Sequence, residues 1–92
     1  MIRSIRHKGL RRLYDNDDAR GVSGEHAPKL RDILARLDTA TAISDLDLPG
    51  FRLHSLRGEL SGYWAITVRA NWRVIFRMQD GDVWEVDYVD YH

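Results

Sequence analysis

The chain has 92 residues, 43% of them hydrophobic and 30% charged, with no cysteine. That length encloses one modest core and excludes two domains, the composition excludes disorder, and the absence of cysteine excludes disulfide frameworks, thiol chemistry and cysteine-type zinc sites. No apolar run approaches the roughly 18 to 20 residues that cross a bilayer, and Met1-Ile2-Arg3-Ser4-Ile5-Arg6 carries charge where a signal peptide needs its apolar stretch, so a cytoplasmic protein without membrane association is expected.

Met1 to Arg6 alternates Ile2 and Ile5 with Arg3 and Arg6 imperfectly and reads as a short first strand. Lys8 to Tyr14 places Leu10, Leu13 and Tyr14 at helical spacing, and Asp15-Asn16-Asp17-Asp18 stops that helix. Pro28 stands near the start of a second helix, in which Leu30, Ile33, Leu34 and Leu37 recur at i, i+3, i+4 and i+7 as far as about Thr39. Thr41 to Leu48 holds a further turn, closed by Pro49-Gly50. From Phe51 onward lie eight of the nine aromatic residues, interleaved with valine, isoleucine and threonine, which favour strands. Phe51 to Leu56, Tyr63 to Arg69, Arg73 to Met78 and Val83 to Val89 read as four strands. The predicted fold is α+β: one compact domain over residues 1–92, its N-terminal strand and two helices packed on one face of a mostly antiparallel sheet.

Fourteen basic and fourteen acidic residues cancel, but not locally. Met1 to Leu13 holds Arg3, Arg6, Lys8, Arg11 and Arg12 with no acid, and only Lys8 and Lys29 are lysines. Nearly all the positive charge is therefore guanidinium, whose rigid fork fits phosphate. In the sheet, the apolar sets Trp64, Ile66, Val68 and Val74, Phe76 must share a face to form one core. A three-residue loop, Ala70-Asn71-Trp72, with Asn71 at positive φ and Arg69 opposite Arg73, achieves this. The other face then presents Tyr63, Thr67, Arg69, Arg73, Ile75 and Arg77, with Arg52 and His54 turned to it from the preceding strand. Such a face is either solvated surface, partly paired by Glu85 and Asp87, or a seat for an anion, of which phosphate is the natural one.

The four histidines, His7, His26, His54 and His92, lack metal-ligand spacing with carboxylates, and no phosphate loop, dinucleotide fingerprint or G-x-S-x-G elbow is present, so no metal and no cofactor are expected. What remains is acid and base catalysis on a phosphate ester. Histidines titrate near neutrality and can take a proton from an attacking hydroxyl and return one to a leaving oxygen, while arginine stabilises charge building at phosphorus. Taken singly, His54 and His92 fit surface residues as readily as catalysts.

The strings Arg52-Leu53-His54-Ser55-Leu56-Arg57-Gly58, Gly62-Tyr63-Trp64-Ala65-Ile66-Thr67-Val68-Arg69-Ala70-Asn71-Trp72-Arg73-Val74-Ile75-Phe76 and Asp87-Tyr88-Val89-Asp90-Tyr91-His92 resemble the HigB type of bacterial toxin, the plasmid-maintenance killer proteins of the RelE/ParE superfamily. The likeness runs from Ile2 to the last residue. It implies a RelE-like fold and a metal-free, ribosome-dependent messenger-RNA endonuclease of a type II toxin–antitoxin pair, whose attacking group is the RNA's own 2′-hydroxyl. The implied partners are a HigA-like helix-turn-helix antitoxin and the ribosome with bound mRNA, with operator DNA reached only through the antitoxin complex. By position, the resemblance makes His54 and His92 the proton-transfer pair, Arg73 the transition-state clamp, Arg57 a phosphate contact and Tyr91 a contact that positions the RNA; Arg52 and Arg69 are further RNA contacts expected from the arginine-lined face. Arg57 stands where similar proteins often carry lysine, and its guanidinium holds its proton at neutrality, which makes it a clamp rather than an acid. Two other readings stay open: a ParE-like topoisomerase inhibitor that needs no catalytic residues, and a small RNA-binding module without turnover.

Overall fold

The computed structural model describes residues 1–90. Helix α1, Lys8–Asn16, begins where the His7 imidazole Nδ1 accepts the Leu10 N–H at 3.0 Å and ends at Asp17, which takes the left-handed conformation at φ 53°. Leu10 and Leu13 point inward. Gly9 lies directly on the backbone of Gly21, where any Cβ would collide with the Gly21 carbonyl, so the turn after α1 folds back against the helix. Helix α2, Ala27–Thr39, starts with Pro28 in its first turn and buries Ala27, Leu30, Ile33, Leu34 and Leu37, the stripe that the spacing predicts. A 3₁₀ turn, Ile43–Leu46, follows, held by the Asp45 carboxylate accepting the N–H groups of Thr41 and Ala42 at 3.0 and 3.1 Å.

Strands β1 (His54–Ser55), β2 (Trp64–Arg69), β3 (Trp72–Gln79) and β4 (Asp82–Asp90) form an antiparallel sheet in that order. The N-terminal segment runs parallel to the free edge of β4 as two isolated bridges, Ile2 to Val83 and Ile5 to Val86, rather than as a continuous strand. The imperfect alternation of Ile2 and Ile5 has its reason here. Strand β4 bulges at Glu85, at φ 53°, so that Val83 and Val86, also three residues apart, both face the core. The Ser4 hydroxyl accepts the N–H of Glu85 at 2.8 Å and holds the bulge.

Two expectations about the sheet are corrected. The strand expected over Phe51 to Leu56 contracts to His54–Ser55, because Arg52 takes φ 48° and breaks the extended chain while Phe51 turns into the core. The loop between β2 and β3 has two residues, not three, and the positive φ belongs to Ala70 at 51°, not to Asn71. Arg69 therefore pairs with Trp72 instead of Arg73, and a register shift at Val68 restores the pairs Ile66 to Val74 and Trp64 to Phe76. The bulge changes the parity that the longer loop was expected to change, so the apolar sets still share a face. The β3–β4 turn is Asp80-Gly81, with both residues at positive φ as a type I′ hairpin loop demands.

The core lies between the helices and one face of the sheet, where Leu10, Leu30, Ile33, Leu37, Ile66, Val74, Phe76, Val83 and Val86 are fully buried. A polar clip fastens the chain start beneath it: Asp38 accepts the Ile2 N–H at 3.1 Å and the Tyr14 hydroxyl at 2.8 Å. Those two bonds, the Ile2 N–H first, hold the Asp38 carboxyl below its usual range. Burial, then the bond to Asp38, pushes the Tyr14 phenol up to about 12. No helix among the described residues is long and apolar enough to cross a membrane.

Candidate active site on the open face of the sheet

The face turned away from the helices is not a bare row of arginines. Leu56, Tyr63, Ala65 and Ile75 are buried on it as a second, smaller apolar cluster, with Leu60 and Val89 packed alongside. Alternation foretells part of this, since Ala65, Ile75 and Val89 fall on that face; the chain reversal that carries Leu56 and Leu60 over it comes from the 3₁₀ turn Gly58–Leu60. The Leu56 N–H bonded to the Tyr63 carbonyl at 2.9 Å ties that reversal down.

His54 stands on this face because it is opposite Ala65, and directly opposed residues of an antiparallel pair share a side. Its ring is exposed, and its Nδ1 lies 2.8 Å from the carbonyl oxygen of Arg52. A carbonyl only accepts, so Nδ1 carries the proton, and the neutral ring keeps its lone pair on Nε2. The left-handed backbone at Arg52 thus brings its carbonyl to the imidazole. Arg73, half-buried, is opposite Thr67 on β2 and Val89 on β4, on the same face. It lies two strands and one pleat from His54, about 12 Å between backbones from standard sheet spacings. Its Nη1 donates to the Ala70 carbonyl and, at 3.1 Å, to the Trp72 carbonyl, which fixes the guanidinium over the hairpin turn.

The three guanidiniums of this hairpin have different fates. Arg77 is held 3.6 Å from the Glu85 carboxylate and lies 5.5 Å above the Tyr63 ring. Arg69 corrects the sequence reading: being opposite Trp72, it leaves the open face, and its Nη1 bonds Glu25 at 3.4 Å on the helical side. Among the described residues, only Arg73 of the three has no carboxylate partner. Asp87 falls in the same row as His54, but its carboxylate accepts the N–H of Tyr88 at 2.9 Å. Arg57 is exposed at the entrance of the Gly58–Leu60 turn and pairs with no carboxylate among the described residues. Arg52 is also exposed; it enters the site through its main-chain carbonyl rather than from a strand position. Tyr91 and His92 lie outside the described residues.

The other two histidines serve the frame. His7 caps α1, and His26 is buried with its Nδ1 against the Tyr88 hydroxyl at 2.5 Å. Tyr88 stacks on Trp72 at 4.5 Å, and burial raises its phenol pKa. This aromatic group lies behind Arg73 and braces the hairpin from the helical side. Clefts of about 200 Å³ open elsewhere, between the N-terminal segment and α1 and between α1 and α2.

Residues 3–92 match the family described as the RelE-like toxin of the type II toxin–antitoxin system HigB. The chain belongs to that family. It is 44% identical over 92 residues to a Proteus vulgaris protein named Endoribonuclease HigB, with the whole of both chains covered. It is 35% identical over 83 residues to Toxin HigB-1 of Vibrio cholerae serotype O1, covering 88% of this chain and 87% of that one. As a toxin of a type II pair, this HigB-like protein has an antitoxin partner.

Proposed function

We propose that this toxin is an endoribonuclease that cuts messenger RNA on the ribosome, without a metal, by attack of the RNA's own 2′-hydroxyl. The observation that carries the reading is the placement of His54 and Arg73 on one face of the sheet: an imidazole with Nε2 free to accept a proton, and the one guanidinium of the hairpin that no carboxylate neutralises among the described residues. In the neutral ring, Nε2 of His54 takes the proton of the 2′-hydroxyl, which attacks the adjacent phosphorus and leaves a 2′,3′-cyclic phosphate. His92 returns a proton to the departing 5′-oxygen, and Arg73 steadies the charge that builds on the phosphoryl oxygens. Arg57 and Arg52 add positive charge along the strand, and Tyr91 orients a base. Arg69 does not belong to this group, since it pairs with Glu25 on the other side.

Few acid or base groups stand on this face, so positioning carries much of the rate, and a ribosome holding the message in line supplies it. A HigA-like helix-turn-helix antitoxin neutralises the toxin, operator DNA is reached only through that complex, and the cytoplasm is where the message is met. The test compares purified protein on ribosome-bound and naked messenger. Cleavage of ribosome-bound message to 2′,3′-cyclic phosphate and 5′-hydroxyl ends, with naked message cut far more slowly, is the expected result. Equal rates on both overturn ribosome dependence. Loss of DNA supercoiling activity with no RNA cleavage overturns the nuclease reading in favour of topoisomerase inhibition.

A further inference from the structure

Among the described residues, the large hydrophobic side chains left exposed are Met1, at the chain start, and Trp84, which is 40% exposed. Trp84 is the third residue of β4, close to the Asp80-Gly81 turn. It is directly opposite Arg77, whose side chain lies over Tyr63, so Trp84 projects from the same face of the sheet as His54 and Arg73. The bulge explains how it comes to be there. With Glu85 at φ 53°, a conformation costly for a residue with a Cβ, Val83 and Val86 both reach the core, and Trp84 is left facing outward while Glu85 turns its carboxylate to Arg77. Tyr63, the other aromatic side chain of that row, is buried under Arg77 and beside Leu60. Trp84 is the ring in the row that stays open.

We propose that Trp84 is a stacking platform for one unpaired base of the messenger RNA, on the flank of the cleaved position, and so a positioning residue for the reaction. This rests on the nuclease reading above. Arg77 is four residues along β3 from Arg73, about 13 Å at the usual rise of an antiparallel strand. An RNA chain that runs along β3 from Arg73 passes the row of Ile75 and His54 and then reaches the row of Arg77 and Trp84. An exposed indole holds a base by its π-face whatever the base, and the neighbouring guanidinium favours the adjoining backbone. The Glu85 carboxylate offsets part of that charge, which makes the ring, not the ion, the stronger contact in this row. Held at a point remote from the reacting atoms, the base fixes the direction in which the strand crosses the site.

The experiment uses ribosomes programmed with a defined message in which one abasic nucleotide is stepped through the positions flanking the cut, cleaved by the wild type, Trp84→Phe and Trp84→Ala. Trp84→Ala is expected to lower kcat/KM about tenfold, mostly through KM, and Trp84→Phe to retain most of the activity, as loss and retention of a stacking surface require. At one position, the abasic site costs the wild type about as much as Trp84→Ala costs on intact message, and the two losses do not add. Melting temperature and antitoxin binding stay at the wild-type level. Unchanged cleavage by Trp84→Ala, or losses that add at every position, overturns the proposal while leaving the nuclease reading intact. Unchanged cleavage with weakened antitoxin binding overturns it too and assigns the ring to the protein partner. If the wild type itself leaves ribosome-bound message uncut, it is the nuclease reading that falls, and the stacking role with it.

Discussion

The covered and open faces of the sheet come from the same four strands and obey different rules. On the covered face, Ile66, Val74, Phe76, Val83 and Val86 are wholly buried against the helices, and each is there because burial of an apolar side chain decides its direction. On the open face, a small cluster around Ala65 and Ile75 provides a floor, and the charged residues above it are sorted by their partners. Arg77 has Glu85, whereas Arg73 has only main-chain carbonyls among the described residues. The contrast teaches that the proposed catalytic pair sits where apolar packing is thin and charge pairing is left incomplete among the described residues.

The largest separation of the two faces is expected from His54→Ala or Arg73→Ala. Either change should lower cleavage by about 10² to 10⁴-fold, the usual worth of one acid–base group or one charge-stabilising donor. Thermal unfolding should stay close to wild type, because exposed or half-exposed substitutions of this kind move stability by about 0.5 kcal/mol. Growth arrest by the Arg73→Ala protein at matched expression would remove Arg73 from the mechanism. Phe76→Ala, on the covered face, should do the reverse. It opens a cavity in the core, costs about 3 to 5 kcal/mol and lowers activity only in proportion to the fraction unfolded, as paired denaturation and cleavage measurements would show.

A smaller effect is expected from Tyr14→Phe, which removes the 2.8 Å bond to Asp38 beneath the covered face. About 1 kcal/mol should be lost at neutral pH. The pH dependence sharpens the assignment. Because the Tyr14 phenol is raised from 10.0 to about 12, its contribution is complete below pH 10 and is lost as pH rises from there toward 12. The Asp38 carboxyl is lowered, so its contribution is present above the ordinary carboxyl range and is lost as pH falls through its depressed value. Tyr14→Phe should flatten the alkaline limb of a stability–pH curve and keep the acid limb supported by the Ile2 N–H; an unchanged alkaline limb would show that another group governs it. The smallest effect belongs to Arg69→Ala. Its partner is Glu25 on the helical side, through an exposed pair worth at most about 1 kcal/mol, so cleavage kinetics should barely move. A large loss of cleavage would return Arg69 to the RNA-binding face.

Several elements were legible in the chain because local rules govern them. The α2 stripe of Leu30, Ile33, Leu34 and Leu37 is a period any helix must bury on one side. His54 and Arg73 were legible as a shared-face pair because alternation fixes the side on which a strand residue emerges. The placement of Arg69 was not, since it depends on whether a parity change sits in a loop or in a bulge, and both satisfy the same apolar pattern. The short β1 was likewise hidden, because the positive φ at Arg52 has no signature in an arginine.

The sequence by itself thus determined the α+β class, the helical stripes, the apolar face of the sheet and the residue types for phosphate chemistry, all of which follow from period, propensity and charge along the chain. Tertiary structure alone decided the bulges at Val68 and Glu85, the Nδ1 partner of His54, the pairing of Arg69 with Glu25 and Arg77 with Glu85, and the exposure of Trp84. The physical reason is that each of these turns on which of two nearly equal local arrangements lets distant segments close: Ile2 and Ile5 reach Val83 and Val86 only across the bulge at Glu85, and that same bulge sends Trp84 to the open face.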